Sequence, residues 1–507
     1  MKILSGLLLI VVAAAAQDVL VIVPPDLAPA LAKWRAHRTA QGHTVAVAAP
    51  ETRDLPGQVR RALKASGDKL RFVVLVGDVR AIPVAYHNGV VIAPHERDPR
   101  IANDNYLGDL DGDGVPELAV GRIPADNLAE AQTMLDKVVA YETSADFGMW
   151  RRRVNIIAGV GGFGVLQDWA IEQVATKFLR ENVPPAYDLH VTYANPRSPF
   201  CPPPARVMAT TLERFNEGAL MVAYLGHGSR LRLDSMVFKR RRYDIFTEDA
   251  AYELAARRGS PITLFSACST GHLDGAPDSL AEVALKQPKG PVAIFAASRV
   301  SMPYANGVIA KELLDAMFRL GSKTVGEALV LAKKHMMKPQ EGDKGRAFIE
   351  TLARAYKWKD ADRAKECAEH LYLYNLFGDP CMRIPQPGNV ALECAAEVKR
   401  DTTIAVKGTS TVAGKARVEF ARDRTPLARP RTADTDEAFL ATYREANAWV
   451  KAHVDLDVTK GAFTTELAVP ADIPPGNYFV RVYVRGKGAY ALGARPVTVL
   501  GGEPAER

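Results

Sequence analysis

Short runs of almost unbroken apolar residues, such as Phe72 to Val76, Leu220 to Leu225 and Ile262 to Ser266, alternate along this chain with segments of helical periodicity. A strand with no polar face must be covered on both sides. In a chain that alternates strands with helices, the arrangement that does so is a parallel sheet between helical layers. The alternation begins at once: Asp18 to Val23 reads as a strand, Leu27 to Gln41 as a helix with Leu27, Leu31 and Trp34 on one face, and Thr44 to Ala48 as the next strand. It continues through Gln58 to Ala65 (helix), Phe72 to Val76, Leu118 to Gly121 (strands) and Asn127 to Tyr141 (helix). A second round runs from strand Val154 to Ala158 through helix Asp168 to Arg180 to strands Ala219 to Leu225, Ile262 to Ser266 and Val292 to Ala296. The pattern predicts two α/β units side by side, residues 17–148 and 149–386.

Pro385-Gln-Pro-Gly388 marks a linker, after which short alternating strands replace the α/β pattern. Residues 390–501 fit a β-sandwich of immunoglobulin-like size, with Pro474-Pro-Gly476-Asn477 as the turn before the last strands. Asp434 to His453 has helical spacing and reads as an insertion. The 507 residues are 48% hydrophobic and 24% charged, which excludes wholesale disorder. With 65 basic and 58 acidic residues giving +7, charge alone does not indicate a nucleic-acid partner, and none is expected. Lys239-Arg-Arg-Arg242, the one notable charge run, reads as a solvated loop.

Lys2, the apolar stretch Ile3 to Val12 and the small residues Ala13 to Ala16 form a signal peptide, residues 1–16, with cleavage expected after Ala16. Its apolar stretch falls short of the roughly 20 residues a membrane anchor needs, and no later stretch reaches that length. An exported protein is expected, secreted, periplasmic or at the cell surface. The five cysteines, Cys201, Cys268, Cys367, Cys381 and Cys394, are odd in number, so an oxidising compartment leaves at least one thiol unpaired; Cys367, Cys381 and Cys394 are close enough in sequence to include one bridge.

Two strands deliver chemistry. Leu220 to Leu225 runs into Gly226-His227-Gly228-Ser229, and Ile262 to Ser266 into Ala267-Cys268-Ser269. Parallel strands carry the residues after them to one edge of the sheet, where such folds bind ligands. An imidazole beside a thiol draws off its proton and later passes it to a leaving amine. The glycines around His227 admit a substrate backbone, and the Gly228 and Cys268 amides are candidates for an oxyanion site. His272 and Asp274 follow the nucleophile too closely to displace His227 as the base and read as loop residues near the cleft.

These motifs resemble the gingipain-type cysteine peptidases, which share a clan with caspases and legumain. The resemblance runs from about Asp18 to Ile384. It is carried by Leu75-Val-Gly-Asp78 with Ile82-Pro83, Asp104-Asn-Tyr106, Val120-Gly-Arg122, Tyr224-Leu-Gly-His-Gly-Ser229, Ala267-Cys268, Gly290-Pro-Val-Ala-Ile294 and Leu376-Phe-Gly-Asp-Pro380. It implies two side-by-side caspase-like parallel-sheet α/β subdomains followed by a C-terminal immunoglobulin-like β-sandwich, with His227 and Cys268 as the catalytic pair of a cysteine-type endopeptidase acting on protein or peptide substrates without a catalytic cofactor. Asp168 matches in position an acid that holds a basic substrate side chain, implying a preference for Arg or Lys before the cut; its alternative is the N-cap of helix Asp168 to Arg180. Two departures stand out. Val160 falls where the family has an acid supporting the histidine, so a dyad is expected, and no amino-terminal propeptide precedes the first strand. These departures sustain one rival, a catalytically silent surface binding protein on the same scaffold; a second rival is a transpeptidase using the same nucleophile.

Asp109-Leu-Asp111-Gly-Asp113-Gly114 with Glu117 begins like a calcium loop, but Val120 stands where an EF-hand has its bidentate Glu. A structural Ca²⁺ held by Asp109, Asp111, Asp113 and Glu117 is the expectation, fixing the loop beside Asp104.

Overall fold

A computed structural model describes residues 17–160, 182–355, 358–424 and 431–501. Among the described residues the α/β part contributes fourteen strands in chain order: β1 (Val19–Ile22), β2 (Val45–Ala48), β3 (Phe72–Val76), the hairpin β4 (Ala85–Asn88) and β5 (Arg100–Asn103), β6 (Ala119–Ile123), β7 (Arg153–Ala158), β8 (Asp188–Tyr193), β9 (Met221–Leu225), the hairpin β10 (Ser235–Phe238) and β11 (Arg241–Asp244), β12 (Ile262–Ser266), β13 (Ala293–Ala297) and β14 (Tyr374–Phe377). Ten of them form one sheet in the order β2-β1-β3-β6-β14-β13-β12-β9-β7-β8. The two α/β rounds therefore share a sheet.

Within each half the strands are parallel; the halves meet at β13 and β14, which pair antiparallel through Ile294↔Phe377 to Ala297↔Tyr374. The carboxyl ends of the two halves thus lie at opposite edges. Strand β14 comes last in the sequence of the second round yet pairs parallel with β6 of the first. Every residue of β1, β3, β12, β13 and β14 is buried, because helices cover both faces, as the unbroken apolar runs require. The helix Pro303–Phe318 shows the depth of this cover, with residues as polar as Lys311, Glu312 and Asp315 buried on it as one ion-paired group with Asp343.

The carboxyl-terminal part holds β15 (Gly388–Glu393), β16 (Glu397–Val398), β17 (Thr402–Ser410), β18 (Gly414–Arg422), β19 (Val450–Val458), β20 (Gly461–Val469), β21 (Gly476–Arg485) and β22 (Tyr490–Val499). They run in the order β19-β18-β21-β22-β15-β17-β20, with β16 on β22. Alternate residues of β17 and β20, such as Ile404, Val406 and Leu467, pack with Val418, Val480 and Val482 of β18 and β21 in a separate core. The segment Asp434 to His453 divides: Asp436–Asn447 is a helix, and His453 lies inside strand β19. Alternation from Val450 onward is a strand period that the preceding helical spacing masked.

That helix closes the exposed edge of the ten-stranded sheet. Asn447 Oδ1 accepts from Val191 N (2.8 Å) and its amide donates to Val191 O (3.0 Å), satisfying the outer side of β8. Arg424 donates to the carbonyls of Val183, Pro184 and Tyr187, and burial pulls its pKa down to about 9. Arg152 and Arg481 share Glu419 across the same junction. Buried charges held on both sides of a junction resist sliding, since separating one partner strands the other in a medium of low polarity.

All five cysteines are unbridged, so the disulfide considered among Cys367, Cys381 and Cys394 does not form. Cys367 and Cys381 are buried in different cores and Cys394 lies in the carboxyl-terminal part; proximity in sequence does not bring their side chains together. Among the described residues no helix is long and apolar enough to cross a membrane.

Candidate active site

Strands β9 and β12 are neighbours in register Ile262↔Met221 through Ser266↔Leu225. Gly226 N donates to Ser266 O (3.2 Å), extending the pairing one step past the strands. His227 and Cys268 each stand two residues beyond the last paired positions, so the register sets them side by side at the carboxyl edge of the second half-sheet. Both are half-buried, whereas the strands leading to them are almost completely buried. The apolar runs fix the strands, and His227 and Cys268 just beyond them come to partly exposed positions.

Gly226 adopts φ +154°, and a Cβ there would fall 2.7 Å from the Tyr224 hydroxyl. That hydroxyl, on a fully buried ring, donates to His227 O (2.7 Å) and accepts from Asp234 N (3.3 Å). Beyond His227 the chain folds back: Gly228 bridges Leu233 antiparallel, and Ser229 N donates to Arg232 O (2.8 Å). Gly228 is pressed against the loop that carries Cys268, where a Cβ would stand 2.9 Å from Ala267 Cβ and 3.1 Å from Cys268 O. Among the described residues the Gly228 and Cys268 amides donate to no backbone carbonyl.

Cys268 Sγ receives Ser301 N–H at 3.4 Å and, as a thiol, faces Ser301 O at 3.5 Å. A chain of hydrogen bonds holds Ser301: Asn306 Nδ2 donates to its Oγ (2.8 Å) and Tyr374 donates to Asn306 Oδ1 (2.6 Å). The next residue, Met302, donates its N–H to Nε2 of buried His370 (3.0 Å), while His370 Nδ1 donates to Glu366 O (2.7 Å). Both contacts suit neutral imidazole, and burial pulls the His370 pKa down to about 4. By contrast, burial pushes the thiols of Cys201 and Cys367 up to about 12 and about 11, so they stay protonated and inert.

Ser269, at φ +55°, is anchored by Arg299 O, and Glu96 accepts from Val300 N (2.9 Å) beside it. Arg299 grips Asp274 through two hydrogen bonds (2.7 and 2.8 Å). Burial works against that carboxylate's charge, but the Arg299 guanidinium holds Asp274 below the usual range. His272 leans on Asp274 (3.4 Å), and burial followed by Arg299 lowers its pKa; it braces the loop wall, as its place in the sequence implies.

Val160 packs against the core, and Gly159 N continues the sheet to Leu225 O (2.8 Å). Asp168 and its helix lie outside the described residues. In the acidic loop, carboxylate oxygens of Asp109, Asp111 and Glu117 lie within 4.8 Å of one another. Asp113 is not in that group; its Oδ1 caps Val115 N (2.8 Å). Asp109 accepts from Gly112 N and Gly114 N, and Glu117 from Leu110 N, so the loop is already folded around them. Asn105 Nδ2 ties Gly114 O to the neighbouring buried pair of Asp104 and Arg122.

Sequence reasoning passed over Ser301 and Asp234. Ser301 lies just past the apolar strand Val292 to Ala296, so the strand-end rule that found Cys268 could have found it. Asp234 lies seven residues after His227, and nothing in that spacing announces a hairpin.

The family model of peptidase family C25 matches residues 13–385. Gingipain R2 and gingipain R1 of Porphyromonas gingivalis are each 23% identical over 348 residues, covering 67% of this chain. The chain spans 41% and 30% of their respective lengths. Among solved structures, the Arg-specific cysteine proteinase gingipain R (RgpB) superposes with TM-score 0.56 at 18% identity, over 96% of this chain and 98% of that one. The complex of P. gingivalis RgpB pro- and mature domains gives 0.55 at 16% identity, over 95% and 100%.

Proposed function

The chain belongs to peptidase family C25 and thereby to the cysteine-type peptidases, and from that premise we propose that Cys268 and His227 are the catalytic dyad of an exported endopeptidase. The observation that carries this assignment is the register: Leu225↔Ser266 is the last pair, and both side chains come after it at the same offset. His227 takes the Cys268 proton. The thiolate adds to the scissile carbonyl, and the oxygen that becomes negative is received by the Gly228 and Cys268 amides. His227 returns the proton to the amine as the C–N bond breaks, leaving a thioester. Water, deprotonated by His227, then releases the acid and restores the thiol. Ser301 N–H on Sγ favours the thiolate by hydrogen bonding to its charge.

The substrate reading is a preference for Arg or Lys before the cut, with Asp168 pairing the basic side chain. It is supported by the position of Asp168 and by the Arg specificity named for the structural neighbour. Residues 390–501 are read as an immunoglobulin-like sandwich, supported by the shared core between β17–β20 and β18–β21. Residues 1–16 are read as the export signal.

Asp109, Asp111 and Glu117 fit a hard cation such as Ca²⁺, with Asp113 as a support of the turn, because three carboxylates converge on a turn that their backbone hydrogen bonds already fold. The ion would stiffen the loop and take no part in bond cleavage. Its test is the urea midpoint with calcium against chelator, where a gain with calcium that Asp111→Asn abolishes is expected and equal midpoints overturn it.

The function is tested with a peptide pool varied at the residue before the cut, comparing the protein with Cys268→Ala under reductant. Amine release that disappears in the variant, with Arg or Lys dominant, is expected. Equal inertness of both forms, before and after limited proteolysis, would favour a binding protein on this scaffold.

A further inference from the structure

An imidazole that exchanges protons with a thiol works best when a carboxylate fixes its orientation and favours its charged form. At the end of β7 the chain offers Val160, whose side chain is committed to the core. A Cβ on the preceding Gly159 would fall 2.4 Å from the Tyr224 hydroxyl, so that position admits no side chain.

We propose that Asp234 is the positioning residue of His227, supplying from the far arm of the hairpin the carboxylate that β7 lacks; this rests on the dyad assigned above. The antiparallel bridge Gly228↔Leu233 sets Asp234 directly opposite His227. Directly opposed residues project from the same face with Cβ atoms about 4.5–5.5 Å apart, a span that a carboxylate and an imidazole close together. The Tyr224 hydroxyl clasps both backbones at once, at His227 O and Asp234 N, so the pair cannot slip in register without breaking a buried contact. One carboxylate oxygen, Oδ1, is oriented by Ser235 N–H at 2.7 Å.

The electrostatics agree. Burial raises the Asp234 pKa, and Ser235 N–H, His227 and Arg242 act in the opposite direction. Tyr224 in turn feels both Asp234 and Cys268, which places these two groups near one buried ring. Arg242, from the β10–β11 hairpin, is the further charge bearing on the carboxylate. A carboxylate opposite the imidazole, when ionised, stabilises the imidazolium formed when Cys268 ionises.

The test uses the full chain and three substitutions: Asp234→Asn, which keeps size and the Ser235 contact, Asp234→Glu, which keeps charge, and Cys268→Ala. The rate of Cys268 alkylation by iodoacetamide is followed against pH, with the modified peptide identified by mass. Turnover and KM are measured on a peptide cleaved by the parent protein. In Asp234→Asn, alkylation at about pH 6 is expected to fall about tenfold and kcat about tenfold to a hundredfold, with KM within about twofold and the alkaline limb of the rate profile moved to lower pH. Asp234→Glu is expected to restore reactivity to within about threefold of the parent. Profiles of Asp234→Asn that superimpose on the parent's overturn the proposal. Equal loss in folded Asp234→Asn and Asp234→Glu also overturns it, because the charge would then not matter. A parent Cys268 that reacts at about pH 6 no faster than half-buried Cys394 instead sinks the dyad itself, a different result from a parent that reacts and a variant that is unchanged.

Discussion

The two halves of the ten-stranded sheet end alike and do opposite things with their ends. Each turns out of its strands through a glycine at positive φ: Gly77 (+146°) and Gly378 (+141°) in the first half, Gly226 (+154°) in the second. At the first edge, the Asp379 carboxylate is fully buried and takes the Arg38 guanidinium (2.5 Å), Trp34 Nε1 (2.5 Å) and Cys381 N (2.8 Å), while Glu142 takes the other side of Arg38 (2.6 Å). At the second edge, His227 and Cys268 remain half-buried, with Ser301 N–H on the Cys268 Sγ at 3.4 Å. A strand end whose polar groups are buried and paired holds the fold, and one whose side chains stay half-buried is open to a substrate. Position in the topology makes both available, and burial separates them.

The sharpest break of this comparison is a crossed pair of substitutions. Cys268→Ala is expected to lower peptide turnover by about 10⁴-fold or more while the free energy of urea unfolding changes by less than about 1 kcal/mol. Asp379→Ala is expected to do the reverse: it leaves Arg38 buried beside a single carboxylate and costs about 3–5 kcal/mol in urea unfolding, with the folded fraction retaining its turnover. A stable Asp379→Ala protein would show that the first edge is not the structural one.

Acid is the next lever. His370, which through Met302 N backs the Ser301 segment beside Cys268, takes up a proton only near about 4 when folded, whereas unfolded it does so near about 6.5. Between these values the unfolded chain binds more protons, so stability is full above about 6.5 and falls by up to about 3 kcal/mol as pH drops towards about 4. His190, lowered to about 3 by burial and Arg214, adds to the same slope. Urea midpoints across this window should fall, and His370→Gln should flatten part of the fall; an unchanged slope would remove His370 from this role.

The smallest effect compares the glycines directly. At Gly77 an added Cβ meets nothing nearer than 3.5 Å, so Gly77→Ala should cost only backbone strain, about 1–2 kcal/mol, with unchanged kcat. At Gly226 the same Cβ displaces the Tyr224 hydroxyl that holds His227, so kcat should fall about tenfold as well. Equal kcat in both variants would deny Tyr224 its part in placing the imidazole.

Legibility followed the range of the interactions. The strands of the α/β part, the Gly226-His227-Gly228 and Ala267-Cys268 turns and the change of pattern after Gly388 are local signals, because apolar continuity and glycine placement record burial and turning residue by residue. The helix–strand split within Asp434 to His453 was lost because two periods overlap in a short window. The capping of β8 by Asn447 was lost because its partners are more than 250 positions apart.

The sequence by itself determined that buried parallel strands would carry a thiol and an imidazole to one edge, since each strand end is written in adjacent residues. Only the tertiary structure decided that β14 would reverse the sheet at its middle, that Ser301 would rest on Cys268, and that Asp234 would face His227 across a hairpin held by Tyr224. Those are pairings between separate segments, and their register is set by packing and by buried polar groups finding partners, which no single stretch of chain contains.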